Sequence, residues 1–202
     1  PTSGTYDQGD GMAPLSRLVF TDGANGSYGI YTPTDMNTLF GFAQDCGAYI
    51  HSNSYGSSSP NYYNTDAQQC DEFMWNNHNF LIFFAAGNDN NDSPAARVAT
   101  YNCAKNLVSV GASESGFGYG SSSYTNPGSS SGNDPENMAE FSSHGPTDEG
   151  LLKPNITVPG GWYIWSADNV DGGSMCHTGM EYMGGTSMAC PTCAGMTALV
   201  RQ

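Results

Sequence analysis

An α/β fold, with a mostly parallel central sheet flanked by helices, is what this sequence predicts, and three observations predict it. Short apolar stretches alternate with helix-spaced ones through the first half of the chain. One of these, Phe80 to Ala86, is apolar without a break, as in a parallel strand covered on both faces. The third is size: 202 residues, against roughly 150 per domain, give one domain or slightly more and enough chain to enclose a core.

Taken in order, Arg17 to Thr21 reads as a strand that ends in the turn formers Asp22 and Gly23. Asp35 to Cys46 places Met36, Leu39, Phe40 and Ala43 at helical spacing, with Thr34 as the N-cap. Ala48 to Ser54 is a second strand and runs into Tyr55-Gly56 and a Ser-rich loop. Asp66 to Trp75 is helical, with Ala67, Cys70, Phe73 and Met74 on one face. Phe80 to Ala86 and Leu107 to Val110 are the next strands, and Gly116 to Asp134 is a Ser/Gly-rich insertion. Phe141 to Pro159 reads as turns, Trp162 to Ala167 as a strand, and a last helix starts at Gly184-Gly185 and runs to Gln202.

Composition excludes several functions. Five Lys and Arg against 19 Asp and Glu leave a formal net charge of −14, which repels phosphate and argues against a nucleic-acid partner. No apolar run approaches the roughly 20 residues needed to cross a bilayer, and Pro1 to Asp10 has no signal-peptide pattern. Only 12% of residues are charged and 38% are hydrophobic, which points to a folded, loop-rich domain and not to disorder. The six cysteines form an even set, as an oxidising compartment favours. Buried free thiols are the alternative, and sequence alone does not choose a pairing.

Three segments fall where strands run into loops or a helix start, the places where α/β sheets collect function. They are His51 to Gly56, Ala85 to Asn88 and Gly184 to Pro191. In the third, Ser187 stands where a Gly-Gly turn meets a helix N-terminus. A hydroxyl there suits a nucleophile, because nearby backbone N–H groups face any negative oxygen held beside it. Read from spacing alone, Ser187 is more readily a helix cap, since Ser and Thr are preferred there.

Four collinear segments resemble the subtilisin-like serine proteases, or subtilases. Gly185-Thr186-Ser187-Met188-Ala189, followed by Pro191, Ala194 and Gly195, is similar to their nucleophile motif. Gly11-Met12-Ala13-Pro14 resembles the Gly-x-Ala-Pro that follows the histidine-bearing helix, and Ala85-Ala86-Gly87-Asn88 resembles the oxyanion-asparagine segment. Phe141 to Pro146, Lys153 to Ile156 and Pro159-Gly160 resemble the Phe-Ser-Ser-x-Gly-Pro to Pro-Gly stretch. The likeness runs from Gly11 to Gly195.

The resemblance implies a three-layer subtilisin-like fold and an endopeptidase of polypeptide substrates, secreted or in the secretory pathway. It is expected to be a monomer that requires no cofactor. Ser187 would be the nucleophile, Asn88 an oxyanion donor, Ser54-Tyr55-Gly56 the edge that pairs with substrate, and Ala85-Ala86-Gly87 a wall of its pocket. A turn asparagine is the alternative for Asn88.

The sequence also departs from the family. The triad Asp and His, in Asp-[Ser/Thr]-Gly and His-Gly-Thr-His segments, precede Gly-x-Ala-Pro, which here lies almost at Pro1. None of His51, His78, His144 and His177 has that context; His51, beside the edge segment, could touch substrate. The chain is therefore expected to be the C-terminal part of a subtilase catalytic domain, incomplete at both ends and inactive alone, with further domains in its parent polypeptide. Other readings are a non-catalytic peptide-binding remnant and, from Cys190-Pro-Thr-Cys193, a thiol–disulfide redox site. Zinc lacks ligands beyond that pair. Asp89 to Asp92 and Asp168 to Asp171 are candidate structural calcium loops, with solvated turn carboxylates as the alternative.

Overall fold

The computed structural model describes residues 10–23, 30–57, 61–89, 97–116, 133–167 and 180–202. The elements are α1 (Met36–Asp45), β1 (Ile50–Asn53), α2 (Thr65–Asn76), β2 (Leu81–Ala85), a short 3-10 helix (Thr100–Cys103), β3 (Val108–Ser113), β4 (Ile156–Pro159), β5 (Ile164–Ala167), β6 (Met180–Met183) and α3 (Thr186–Arg201).

Strands β1 to β4 form one parallel sheet in the order β1-β2-β3-β4, with Ile50 opposite Leu81, Phe83 opposite Val108 and Val110 opposite Ile156. Because side chains alternate along a strand, β2 feeds two cores. Ile82 and Phe84 point to α1 and α2, where they meet Met36, Phe40, Cys70, Phe73 and Phe80. Phe83 and Ala85 point the other way, to Val110, Ala112, Val158 and the α3 residues Ala189, Cys190, Cys193 and Ala194. The result is three layers, with the sheet between α1/α2 and α3.

Local chemistry sets the helix starts. Asp35, not Thr34, caps α1 by accepting from the Asn37 N–H at 3.0 Å. Asn64 caps α2 by accepting from the Ala67 N–H.

Three differences from the expected elements have physical causes. Arg17 to Thr21 forms no ladder among the described residues, and Leu18 and Phe20 are each 89% exposed. β-propensity does not make a strand without a neighbouring backbone to bond. Ile156–Pro159 is a strand despite its proline, because it is one of the two outer members of the described sheet and ends at Pro159. Met180–Met183 has little strand signature and is held by antiparallel pairing with β5, Trp165 opposite Tyr182. The five described cysteines, Cys46, Cys70, Cys103, Cys190 and Cys193, are all free thiols, four of them buried. Cys176 and His177 lie outside the described residues.

Candidate active site

At the C-terminal end of the parallel sheet, β1 leads into Ser54, β2 leads into Ala86 to Asn88, and α3 begins at Thr186. Gly185 is the N-cap of α3 with φ 153°, a conformation that favours glycine, and it offers no side chain to cap the helix. Its N–H is tied to the Gly160 carbonyl at 2.7 Å. A Cβ on Gly160 would sit 2.7 Å from Ala189 Cβ and 2.8 Å from the Gly185 oxygen, so the turn before the helix is packed to contact.

Ser187 is inside the first turn of α3 and half-buried. It is not a cap: its Oγ reaches across to the Ser54 carbonyl at 3.4 Å, while Ser54 Oγ donates to the Ser187 carbonyl at 2.8 Å. The two serines clasp the end of β1 to the start of α3.

Asn88 is oriented by Thr186. Its Oδ1 accepts both the Thr186 N–H and the Thr186 hydroxyl, each at 2.9 Å. A backbone N–H can only donate, so the carboxamide oxygen must face Thr186 and the Nδ2 donors must face away. Thr186 Oγ1 in turn accepts from the Gly87 N–H at 3.2 Å. The Ser143 N–H donates to the Gly87 carbonyl at 2.9 Å, and Ser143 Oγ accepts from the Asp89 N–H at 3.0 Å. These bonds lock the strand-to-loop turn.

Asn88 Nδ2, the Ser187 backbone nitrogen and Met188 Sδ lie each 3.6 Å from the point where a Cβ on Gly185 would stand. Two nitrogen donors and a thioether therefore border one small space that glycine leaves open. Such convergence at a helix N-terminus favours a negative oxygen. Thr186 was not singled out from the sequence, although it stands inside the nucleophile motif. Its role became visible only through its bonds to Asn88.

The remaining candidates fall into two groups. Ser54 and Gly56 are exposed beyond the end of β1, the other outer strand of the described sheet. The Tyr55 ring turns inward, edge-on to Phe84 at 5.5 Å and to Tyr101 at 5.9 Å. The Ala85 and Ala86 side chains are buried; their carbonyls accept from Asn102 Nδ2 and the Ala99 N–H. Gly87 is half-buried with φ 113°, where a Cβ would meet Ser143 Oγ at 2.9 Å.

His51 faces the core, not the substrate edge. Its ring lies 5.1 Å from Phe40 and 6.2 Å from Phe80, and Nδ1 is buried without a partner. Burial chiefly, opposed by the nearby Asn53, lowers its pKa to about 4. His78 lies edge-on to Trp75, and His144 Nδ1 is 2.9 Å from the Gly145 carbonyl. Among the described residues no imidazole or carboxylate is hydrogen-bonded to Ser187.

A redox site is disfavoured. Cys190 Sγ is buried and donates to the Asn53 carbonyl at 3.4 Å, and burial is the leading effect raising the pKa of both Cys190 and Cys193. A reactive Cys-x-x-Cys needs an accessible, lowered thiol. Among the described residues no three His, Cys, Asp or Glu cluster as metal ligands. Of the candidate calcium loops, all but Asp89 lies outside the described residues.

With this geometry in view, sequence comparison names the class. The profile of the subtilase family matches residues 3–202, and the chain belongs to that family of serine peptidases. It is 29% identical, over an alignment 259 positions long, to the serine protease/ABC transporter B family protein tagB of Dictyostelium discoideum, covering 95% of this chain and 13% of tagB. It is 34% identical over 131 residues to serine protease AprX of Bacillus subtilis, covering 60% of this chain and 26% of AprX. Among solved structures, the prenylagaramide maturation protease PagA superposes with a TM-score of 0.57 at 21% identity, covering 88% of this chain and 52% of that one. Sphericase gives 0.51 at 19% identity, covering 82% and 46%. These superpositions establish the subtilisin-like α/β fold, and the chain spans only part of each relative.

Proposed function

We propose that this chain carries the nucleophile and oxyanion site of a subtilisin-like serine endopeptidase acting on polypeptides. Ser187 Oγ attacks the scissile carbonyl carbon while its proton passes to a general base. The carbonyl oxygen, now negative, accepts hydrogen bonds from Asn88 Nδ2 and the Ser187 N–H. The C–N bond then breaks, the departing amine takes the proton from the base, and the acyl group stays on Ser187 until water releases it. The observation that carries the reading is the convergence of those two donors on the space beside Gly185. Ser54-Tyr55-Gly56 would pair with the substrate backbone, with Gly87, backed by Ala85 and Ala86, beside the attacked residue.

The base is a separate matter. The His-Gly-Thr-His and Asp-[Ser/Thr]-Gly segments of the family have no counterpart in this sequence. We assign the triad His and Asp to the parent polypeptide. An oxyanion hole and binding alone leave about 10³ to 10⁴ over water, and the complete triad adds roughly 10⁶. The chain by itself is thus expected not to turn over. An extracellular or secretory-pathway setting, with no nucleic-acid partner, accords with the acidic composition; no described helix is long and apolar enough to cross a membrane.

A second reading, a peptide-binding remnant without chemistry, draws on the Ser187 hydroxyl having only the Ser54 carbonyl as its described partner. Labelling with a fluorophosphonate separates the two. The parent polypeptide should be labelled at Ser187 and Ser187→Ala should not. Absence of labelling in the parent polypeptide removes the enzyme and leaves the remnant.

A further inference from the structure

We propose that the pocket beyond the substrate edge selects a lysine or arginine side chain, with Asp66 as its counter-charge. This rests on the reading of Ser54-Tyr55-Gly56 as the peptide edge and names a substrate feature of that same site.

The pocket has a volume of about 440 Å³, and Ile30, Thr32, Tyr55, Gly56, Asp66 and Tyr101 are among the residues lining it. That is roomy enough for one long side chain. Its position follows from the edge: Ser54 touches Ser187, and Gly56 is two residues further on, roughly 7 Å along an extended backbone. A peptide lying on the edge would therefore drop into the pocket a side chain a few residues from the attacked bond.

The lining is divided by chemistry. Ile30 and the Tyr55 ring are apolar surface, whereas Asp66, Thr32 and the Tyr101 phenol are polar. Among the described residues Asp66 is the only acidic or basic side chain of the lining, half-buried in the first turn of α2. The one hydrogen bond it accepts among the described residues comes from Asn64 Nδ2, at a long 3.4 Å. Its charge is felt at Tyr101: burial first, and Asp66 behind it, push that phenol up against the pull of a hydrogen bond with Thr32.

Among the described residues no lysine or arginine is paired with this carboxylate, the exposed Arg17 included. Lys105 stands over the Tyr63 ring, Lys153 is bonded to Asn155, Arg97 to the Pro146 carbonyl and Arg201 to the Asn79 carbonyl. A purely apolar occupant would strip water from Asp66 and return nothing, and an acidic one would be repelled. A basic side chain meets both halves: its methylenes cover Ile30 and Tyr55, and its charge reaches Asp66 beside an aromatic face. The net charge of −14 draws cations toward the protein over longer range.

The test compares arginine with citrulline, its neutral isostere, at each position of an extended peptide. Equilibrium binding to the full chain is followed by fluorescence anisotropy, and kcat/KM is measured in the parent polypeptide. At one position a few residues from the attacked bond, citrulline should weaken both readouts about fivefold, the scale of a partly exposed ion pair. Asp66→Asn should erase that difference without weakening the citrulline peptide, and Asp66→Glu should keep it. No arginine preference at any position, or a preference that survives Asp66→Asn, overturns the proposal. Arginine-selective binding by a protein that fluorophosphonate does not label retains the pocket and removes proteolysis. Labelling and cleavage without arginine preference remove the pocket alone, and failure of every peptide to bind removes both.

Discussion

The two faces of the central sheet are built from different materials. Toward α1 and α2 the core is aromatic, with Phe40, Phe73, Phe80 and Phe84, and the Phe73 and Phe80 rings 5.0 Å apart. Toward α3 it is mostly small, with Ala112, Ala139, Ala189, Cys190, Cys193 and Ala194 around Phe83, Val110 and Val158. Large rings bury area and hold helices away from a sheet. Small side chains let the backbone of α3 come in close, so that its first turn bonds directly to loops leaving β1 and β2. One face supplies stability, and the other supplies approach.

The comparison can be broken in four places, taken from the largest expected effect to the smallest. Phe40→Ala, in the aromatic face, should cost about 3 to 5 kcal/mol in denaturant unfolding. Labelling of Ser187 per folded molecule of the parent polypeptide should be unchanged; a lost label with intact folding would contradict the division of labour. If Asn88 is the proposed oxyanion donor, Asn88→Ala should lower kcat of the parent polypeptide about 10² to 10³, or about 2.7 to 4 kcal/mol, a magnitude borrowed from an oxyanion asparagine of subtilisin, with a smaller loss of stability from its two bonds to Thr186. An equal loss of melting temperature would instead make Asn88 a structural residue.

His51 tests the aromatic face by pH. Its folded pKa of about 4 lies below the ordinary 6.5, so the unfolded chain binds the proton first. Stability should fall as pH drops from about 6.5 to about 4 and then level off, by about 3 kcal/mol in all. His51→Gln should flatten that slope, measured as urea midpoints across the range. Gly160→Ala is the smallest perturbation. It forces a methyl against Ala189 Cβ and the Gly185 oxygen and should cost about 1 to 3 kcal/mol. On this face the label rate should fall with it, and a stable variant with full labelling would show that the turn is less tightly held.

Much of this architecture is legible in the residue pattern. The helical spacing of Met36, Phe40 and Ala43, and of Ala67, Cys70 and Phe73, identifies the buried faces of α1 and α2. The apolar run at Phe80 marks a strand covered on both sides. Strands that depend on their neighbours are not legible in this way. β4 hides behind Pro154 and Pro159, β6 is made by its pairing with β5, and Arg17 to Thr21 has the composition of a strand but no ladder partner among the described residues. The site divides similarly. Ser187 and Asn88 stand in recognisable motifs, whereas the inward turn of Tyr55 and the placing of His51 in the core follow from packing.

By itself the sequence determined the alternation of strand and helix, the acidic balance and the residue types at the bend before α3, because these depend on neighbours a few positions apart. Only the tertiary structure decided which way the Asn88 amide faces and that its nitrogen shares one space with the Ser187 N–H. Hydrogen bonds are directional and short, and Thr186 and Asn88 are 98 residues apart in the chain. Their meeting depends on how closely a helix of small residues settles on the sheet.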